Sequence, residues 1–269
     1  MTSFDAHRPI GIFDSGIGGL SILAALRAEL PHEHFLYYAD AGHAPYGERD
    51  GDFIIARARA IARTLIETYG IKALVVACNT ATAAAIAHLR ADWPGLLLIG
   101  VEPALKPAAA ATRTKHIGVL ATRGTLASAK FRALHQGLTG LAQFHLIACD
   151  GLASAIERDD AEQIDALATR YLHALGPLGT HQGQIDTLVL GCTHYPFATA
   201  ALRRHAGLEV RFIDTGAPVA QHTRRLLAAR GALHLGPGAL TLQTSGLPDA
   251  LQTAAARWLG THEWPAVKW

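Results

Sequence analysis

Charge is scarce in this sequence, and neither sign dominates. Asp, Glu, Lys and Arg make up 17% of the 269 residues, and the formal net charge is +2. The arginines are scattered along several expected helices without aromatic interleaving, so no nucleic-acid footprint is present. No stretch supplies about 18 uninterrupted apolar residues, and the opening MTSFDAHRPI has no continuous apolar core of the signal-peptide kind. A soluble, cytoplasmic protein without a membrane partner is expected. Cysteine is limited to Cys78, Cys149 and Cys192. An odd count in a cytosolic setting argues against a disulfide framework and leaves burial, metal binding or reactivity as explanations. There is no C-x-x-C, no H-E-x-x-H and no H-x-E with a downstream cysteine pair, which argues against zinc.

What is abundant is apolar residues, 50% of the chain, which is a globular composition rather than a disordered one. Short apolar runs alternate with longer amphipathic, Ala/Leu/Arg-rich segments, which reads as strand then helix and so as a parallel-sheet α/β fold. IGIFD, HFLYYAD, ALVVA and LLLIG are the first strand candidates; IGVLA, FHLIAC, TLVLG and EVRFID are the second group. Helices are expected over Gly51 to Tyr69 and Asp160 to Leu175. Two groups of four imply two similar sheets, and the length suits two domains of roughly 100–150 residues.

An internal duplication supports that division. IGIFDSG at Ile10 resembles IGVLATRG at Ile117, and IKALVVACNTATAAAIAHLR resembles IDTLVLGCTHYPFATAALRR. The corresponding offsets are 107 and 114 residues, nearly equal, as two domains of one ancestry require. VEPALKPAAAATRTKH lies between the groups and is the natural crossing point. The expected domains are 1–99 plus a returning tail 212–269, and 100–211.

In an open α/β sheet, ligands gather beyond the carboxyl ends of the strands. The residues just after the apolar runs are polar: Asp14 and Ser15; Asp40 and the Pro45–Gly47 loop; Cys78, Asn79 and Thr80; Thr122; Cys192, Thr193 and His194. The glycine-rich DSGIGGL does not complete G-x-G-x-x-G, and no Walker lysine follows. It reads better as a tight strand-to-helix turn whose backbone N–H groups can bind an anion. A lone cysteine after a buried strand is usually a small hydrophobe, the reading taken for Cys149. Cys78 and Cys192 differ, because each is followed by Asn or Thr where a helix is about to begin. A helix N-terminus favours a thiolate, making each a plausible acid/base. The rival is a zinc site built from Cys78, Cys192 and His194.

Together, GIFDSGIGGL, YYADAGHAPYG, VVACNTAT, GVEPALKPA and LGCTHYP resemble the glutamate racemase family, within the cofactor-independent aspartate/glutamate racemases. The match runs from Ile10 to about Asp214, and TSGLPDALQTAAARWLG is similar to the family's closing segment. The resemblance implies two pseudosymmetric domains, each a parallel sheet flanked by helices, with the active site in the interdomain cleft. It implies interconversion of L- and D-glutamate without a cofactor or a metal, supplying D-glutamate for peptidoglycan. Cys78 would take the α-proton of D-glutamate and Cys192 that of L-glutamate, with Asp14 and His194 as helpers. Asp14, Ser15, Tyr46, Gly47, Asn79, Thr80, Thr122, Thr193 and His194 would surround the substrate. The expected partner is glutamate and the expected assembly a homodimer.

Two departures from the family pattern stand out. ACDGLASAIE lacks the usual proline-containing run, and Glu157 is the matching helper carboxylate by spacing. In ATRGTLASAKF, Phe131 replaces a tyrosine, which changes the hydrogen bonding behind the site. Only nine residues precede Ile10, so the extension of precursor-activated members is not expected. The alternatives are an aspartate racemase of the same fold, whose members typically carry glutamate in place of His194, or a non-enzymatic binder of an acidic ligand or zinc.

Overall fold

A computed structural model describes residues 5–260, together with the backbone of the short strand Val267–Lys268. The chain divides into two units, Met1–Val101 with Gly216–Trp269, and Glu102–Thr215.

The first unit is built on β1 (Ile10–Asp14), β2 (His34–Ala39), β3 (Ala73–Val76) and β4 (Leu97–Gly100), with α1 (Leu20–Glu29), α2 (Gly51–Tyr69) and α3 (Asn79–Asp92) as crossovers. Every residue of β1 and β3 is buried, as expected of central parallel strands covered on both faces. Asp50 caps α2 by accepting the Phe53 N–H at 2.7 Å. Ile54, Ala58, Ile61, Ala62 and Leu65 recur on one face of α2, the 3.6-residue periodicity that predicts this helix. Each large aliphatic side chain so buried contributes about 1.5–3 kcal/mol relative to exposure.

The second unit follows the same plan with β5 (His116–Ala121), β6 (Gln143–Ala148), β7 (Thr187–Leu190) and β8 (Arg211–Ile213). Its helices are α4 (Leu105–Ala111), α5 (Arg123–Ala127), α6 (Ala129–Gln136), α7 (Leu152–Glu157), α8 (Ala161–Leu175) and α9 (Thr199–Ala206). Asp160 caps α8 through the Gln163 N–H. The sheet order is β6-β5-β7-β8, and the first unit contains β2-β1-β3-β4 in the same sense, all parallel. The duplication seen in the sequence is therefore a duplication of topology. The second boundary lies beyond β8, which pairs with β7; a division at 211/212 would have cut that strand.

The first sheet is larger than the expected four strands. After α10 (Gly216–Ala229) the chain returns to it through β9 (Ala239–Thr244) and α11 (Pro248–Leu259), and β10 (Val267–Lys268) extends the edge, giving the order β10-β9-β2-β1-β3-β4. The returning segment is pinned from below. Buried Lys72 pairs with Glu33 at 2.6 Å and donates to the Ala232 carbonyl at 2.8 Å, while Glu33 accepts the His234 N–H at 3.0 Å.

Candidate functional site

A strand order of 2-1-3-4 reverses direction between its first and third strands, and a crevice opens there at the strands' carboxyl ends. In the first unit that switch point lies between β1, which ends in Asp14, and β3, which leads into Cys78. In the second it lies between β5, which leads into Thr122, and β7, which leads into Cys192. The two cysteines thus occupy equivalent places in two copies of one topology.

Cys78 is the N-cap of α3, with extended backbone (φ −122°, ψ 121°), and its sulfur accepts the Ala81 N–H at 3.4 Å. A helix N-terminus and an amide donor both stabilise negative charge on sulfur. The thiol itself points at the Ser15 hydroxyl, 3.7 Å away, and is only 5% exposed. Asp14 Oδ2 accepts the N–H groups of Gly16 and Gly19, each at 3.0 Å. Two of the amides that the DSGIGGL turn could offer an anion are therefore engaged by Asp14, a correction to the simple anion-nest reading. Asn79 is buried, and both polar atoms of its side chain lack a hydrogen-bond partner. Leaving such groups dry costs about 1–3 kcal/mol, a cost that a bound polar ligand removes. Thr80 is buried on the same first turn of α3. Tyr46 is buried in one core cluster with Cys78; its hydroxyl donates to Asp40 at 2.6 Å, and Gly47 follows it in the same short turn.

In the second unit the side chains form a chain of contacts. His194 Nδ1 lies 3.6 Å from Cys192 Sγ, and its Nε2 lies 2.5 Å from Glu157 Oε1. Burial works against charge on this imidazole, but its bonds to Cys192 and Glu157 prevail and raise its pKa well above the ordinary 6.5. Glu157 reaches this place because Leu152, Ala155 and Ile156 bury one face of α7, leaving the last residue of the helix to meet His194. The ACDG turn starts that helix: Gly151 takes φ 79°, a left-handed conformation that glycine adopts without a Cβ penalty. The turn is held by Tyr171, whose hydroxyl donates to the Asp150 carbonyl at 2.5 Å, and by an ion pair between Arg123 and Asp150. Thr193 is buried beside Cys192. Thr122 caps α5 by accepting the Thr125 N–H at 3.2 Å.

Cys149 is 2% exposed, and burial pushes its thiol pKa far up, the environment of an inert thiol. Phe131 is buried in the core of the second unit and stacks on His135. Among the described residues, no group of three or more His, Cys, Asp or Glu side chains is arranged to hold a metal ion.

One group of residues was not legible as a group. Asp40 is fully buried at the end of β2 and binds Arg57, Tyr46, His43 and Ser245. The sequence places Asp40 after a strand but offers no sign of Arg57 or Ser245, which are remote in the chain.

A family model described as Asp/Glu/Hydantoin racemase matches residues 20–223. A curated glutamate racemase from Stutzerimonas stutzeri is 47% identical over 247 residues, covering 92% of this chain and 92% of the relative. One from Pseudomonas syringae pv. tomato is 48% identical over 244 residues, covering 90% and 86%. Among solved structures, a glutamate racemase isoform from Bacillus anthracis superimposes with a TM-score of 0.85 at 31% identity, covering 98% of this chain and 97% of that one. Glutamate racemase from Escherichia coli, in complex with L-glutamate and the activator UDP-MurNAc-ala, superimposes with a TM-score of 0.79 at 28% identity, covering 97% of each chain.

Proposed function

From the membership of this chain in the Asp/Glu/Hydantoin racemase family, and within it among the glutamate racemases, we infer an isomerase that interconverts L-glutamate and D-glutamate. The observation that carries the mechanism is the pair of thiols, Cys78 after β3 and Cys192 after β7, at equivalent strand ends of duplicated sheets.

Inverting a stereocentre by proton transfer requires removal of the α-proton from one face and delivery of a proton to the other. Two opposed groups do this more readily than one. In the L-to-D direction, Cys192 as thiolate takes the Cα proton, and the electron pair of the broken C–H bond passes into the carboxylate as a carbanionic intermediate. Cys78 as thiol then gives a proton to the opposite face. The enzyme is left with Cys192 as thiol and Cys78 as thiolate, ready for D-glutamate. The scheme requires no cofactor, so the pocket itself must stabilise the charge that develops.

His194 and Glu157 support the second thiol in this reading. An imidazolium held by a carboxylate stabilises an adjacent thiolate and can pass it a proton. Asp14 is the corresponding helper for Cys78, with Ser15 in direct contact. Asn79, Thr80, Thr122, Thr193 and the Tyr46–Gly47 turn are assigned to the substrate. The buried, unpartnered amide of Asn79 supports its place in that set.

The product supplies peptidoglycan synthesis, and a cytoplasmic homodimer binding glutamate belongs to the same reading. For location, the support is that no helix among the described residues is long and apolar enough to cross a membrane. The deciding experiment is racemisation of L-glutamate in deuterated water. D-Glutamate carrying deuterium at Cα is expected; unlabelled product excludes the two-thiol scheme.

A further inference from the structure

The carboxylate of Asp40 is the most heavily bonded side chain at the carboxyl edge of the first sheet. Its Oδ1 receives Arg57 Nη2 at 2.7 Å, the Ser245 hydroxyl at 2.7 Å and His43 Nδ1 at 3.0 Å. Its Oδ2 receives the Tyr46 hydroxyl at 2.6 Å and Arg57 Nε at 2.9 Å. The Arg57 contact is two-pronged, the geometry in which a guanidinium holds a carboxylate most firmly. Asp40 is fully buried, while the Arg57 side chain is 25% exposed. The charge is therefore withdrawn from water and compensated in place. Burial opposes ionisation of Asp40, but the bonds from Arg57, Tyr46 and Ser245 outweigh it and hold the carboxyl below its ordinary value.

These bonds tie Asp40 and the nearby Tyr46 turn to two segments farther off in sequence, 17 and 205 positions from Asp40. Asp40 follows β2, Tyr46 lies in the short turn after Pro45, Arg57 comes from α2, and Ser245 follows β9. The last link is reinforced by the backbone, because the Ser245 N–H donates to the Ala39 carbonyl at 3.0 Å and the Ser245 hydroxyl accepts the Gly42 N–H at 3.1 Å. Tyr46 is the member that reaches the site: it shares a core cluster with Cys78, and charge on Cys78 is felt at its phenol. Its hydroxyl proton is directed to Asp40 and so is held within the network.

We propose that Asp40 is a positioning residue: with Arg57 and Ser245 it fixes the Tyr46–Gly47 turn beside Cys78, so that the returning β9 segment helps to hold the substrate-binding turn. The proposal rests on the glutamate racemase reading above. An ionised, five-bonded carboxylate fixes direction as well as distance, and an anionic substrate that meets a preset turn loses less freedom on binding.

The test uses the full-length protein with Asp40→Asn, Tyr46→Phe and Ser245→Ala, together with Arg57→Lys and Arg57→Ala. Two readouts are taken: KM and kcat for both enantiomers, and the rate at which iodoacetamide modifies Cys78 relative to Cys192, followed by peptide mass spectrometry. Loosening the turn removes binding shared by ground and transition states, so KM rises about tenfold in Asp40→Asn and Tyr46→Phe while kcat changes less. Ser245→Ala follows in the same direction with a smaller change, and Arg57→Lys retains more affinity than Arg57→Ala. Cys78 is modified faster in these variants and Cys192 at its original rate. A fall in melting temperature with unchanged KM and unchanged Cys78 reactivity overturns the proposal, leaving Asp40 a purely structural role. Asp40→Asn exposes Arg57 to an unpaired state; if it does not fold, Tyr46→Phe and Ser245→Ala decide by the same criteria. If the wild-type protein does not racemise glutamate, the functional reading fails separately. The cysteine modification rates then decide the positioning role alone: faster modification of Cys78 sustains it, and equal rates overturn it.

Discussion

His194 Nε2 lies 2.5 Å from Glu157 Oε1, and the other nitrogen of the same ring faces Cys192. The carboxylate fixes which ring nitrogen faces the thiol and favours the charged imidazole, as in other relays where a third group orients the base. Glu157→Gln keeps the size of the side chain and removes its charge. It is expected to lower kcat/KM by about 10²-fold, the lower end of general acid–base contributions. The loss must be equal in both directions, because the two enantiomers have equal free energies in water. The asymmetry belongs in the isotope effect: with L-glutamate deuterated at Cα, proton abstraction by Cys192 becomes more rate-limiting and the primary effect increases. Steady-state kinetics of both labelled enantiomers check this, and an unchanged kcat/KM removes Glu157 from the relay.

The same pair makes stability depend on pH. His194 has a folded pKa raised above about 6.5, its ordinary unfolded value. Its contribution is therefore complete below about 6.5 and is lost as pH rises through the folded value. Asp40 and Asp186 act in the opposite sense. Burial disfavours their charge, but hydrogen bonds outweigh it and their folded pKa values are depressed. Their contributions are present above about 3.9 and are lost as pH falls through the folded values. Urea denaturation is expected to give maximal stability between these limits. Glu157→Gln should flatten only the alkaline limb; an alkaline limb of unchanged slope would show that His194 is not its source.

The central strands read from the sequence were legible for one physical reason. Central parallel strands are buried on both faces, so β1, β3 and β7 appear as unbroken apolar runs. β9 escaped because only Leu240 and Leu242 are buried along it, and LTLQT lacks the continuous apolarity that marked the others. Cys78, Cys192 and His194 stood out because they closely follow such runs, whereas Glu157 was singled out only by its match to the spacing of the family pattern. The Asp40 network was not visible: Arg57 is 17 positions away and Ser245 is 205. Contacts of that kind are made by the fold, and no local periodicity announces them.

Gly19 is a second dependence on close packing rather than on backbone conformation. Its φ of −62° suits any residue, yet a Cβ there would lie 2.6 Å from Asp14 Cβ and 3.0 Å from the Tyr37 hydroxyl. Tyr37 in turn donates to the Gly16 carbonyl at 2.6 Å, so neither neighbour can move without disturbing the turn. Gly19→Ala is expected to fold, with an overpacking cost of about 1–3 kcal/mol. Displacement of Asp14 should lower kcat/KM by about 10²-fold, the scale of a misplacement near 1 Å. Far-ultraviolet circular dichroism and thermal melting report the fold, and racemase kinetics report the site. Full activity would show that the position of Asp14 is not critical.

Cys149 provides a contrast with the two thiols assigned to the proposed proton transfer. It follows β6 as Asp40 follows β2, but its sulfur points to the Ile147 carbonyl at 3.7 Å, and burial keeps the thiol protonated. Tyr195 donates to the Cys149 backbone carbonyl, a bond that survives truncation of the side chain. Cys149→Ala should therefore keep kcat and KM within about twofold while lowering stability by ~1 kcal/mol for the small cavity left behind. Iodoacetamide treatment of the native wild-type protein should leave Cys149 unmodified under conditions that alkylate Cys78 or Cys192, since reaction requires an accessible thiolate. Peptide mass spectrometry distinguishes the three sites. Preferential labelling of Cys149, or loss of racemisation in Cys149→Ala, would place a third thiol in the chemistry and contradict a mechanism with one thiol for each face of the substrate.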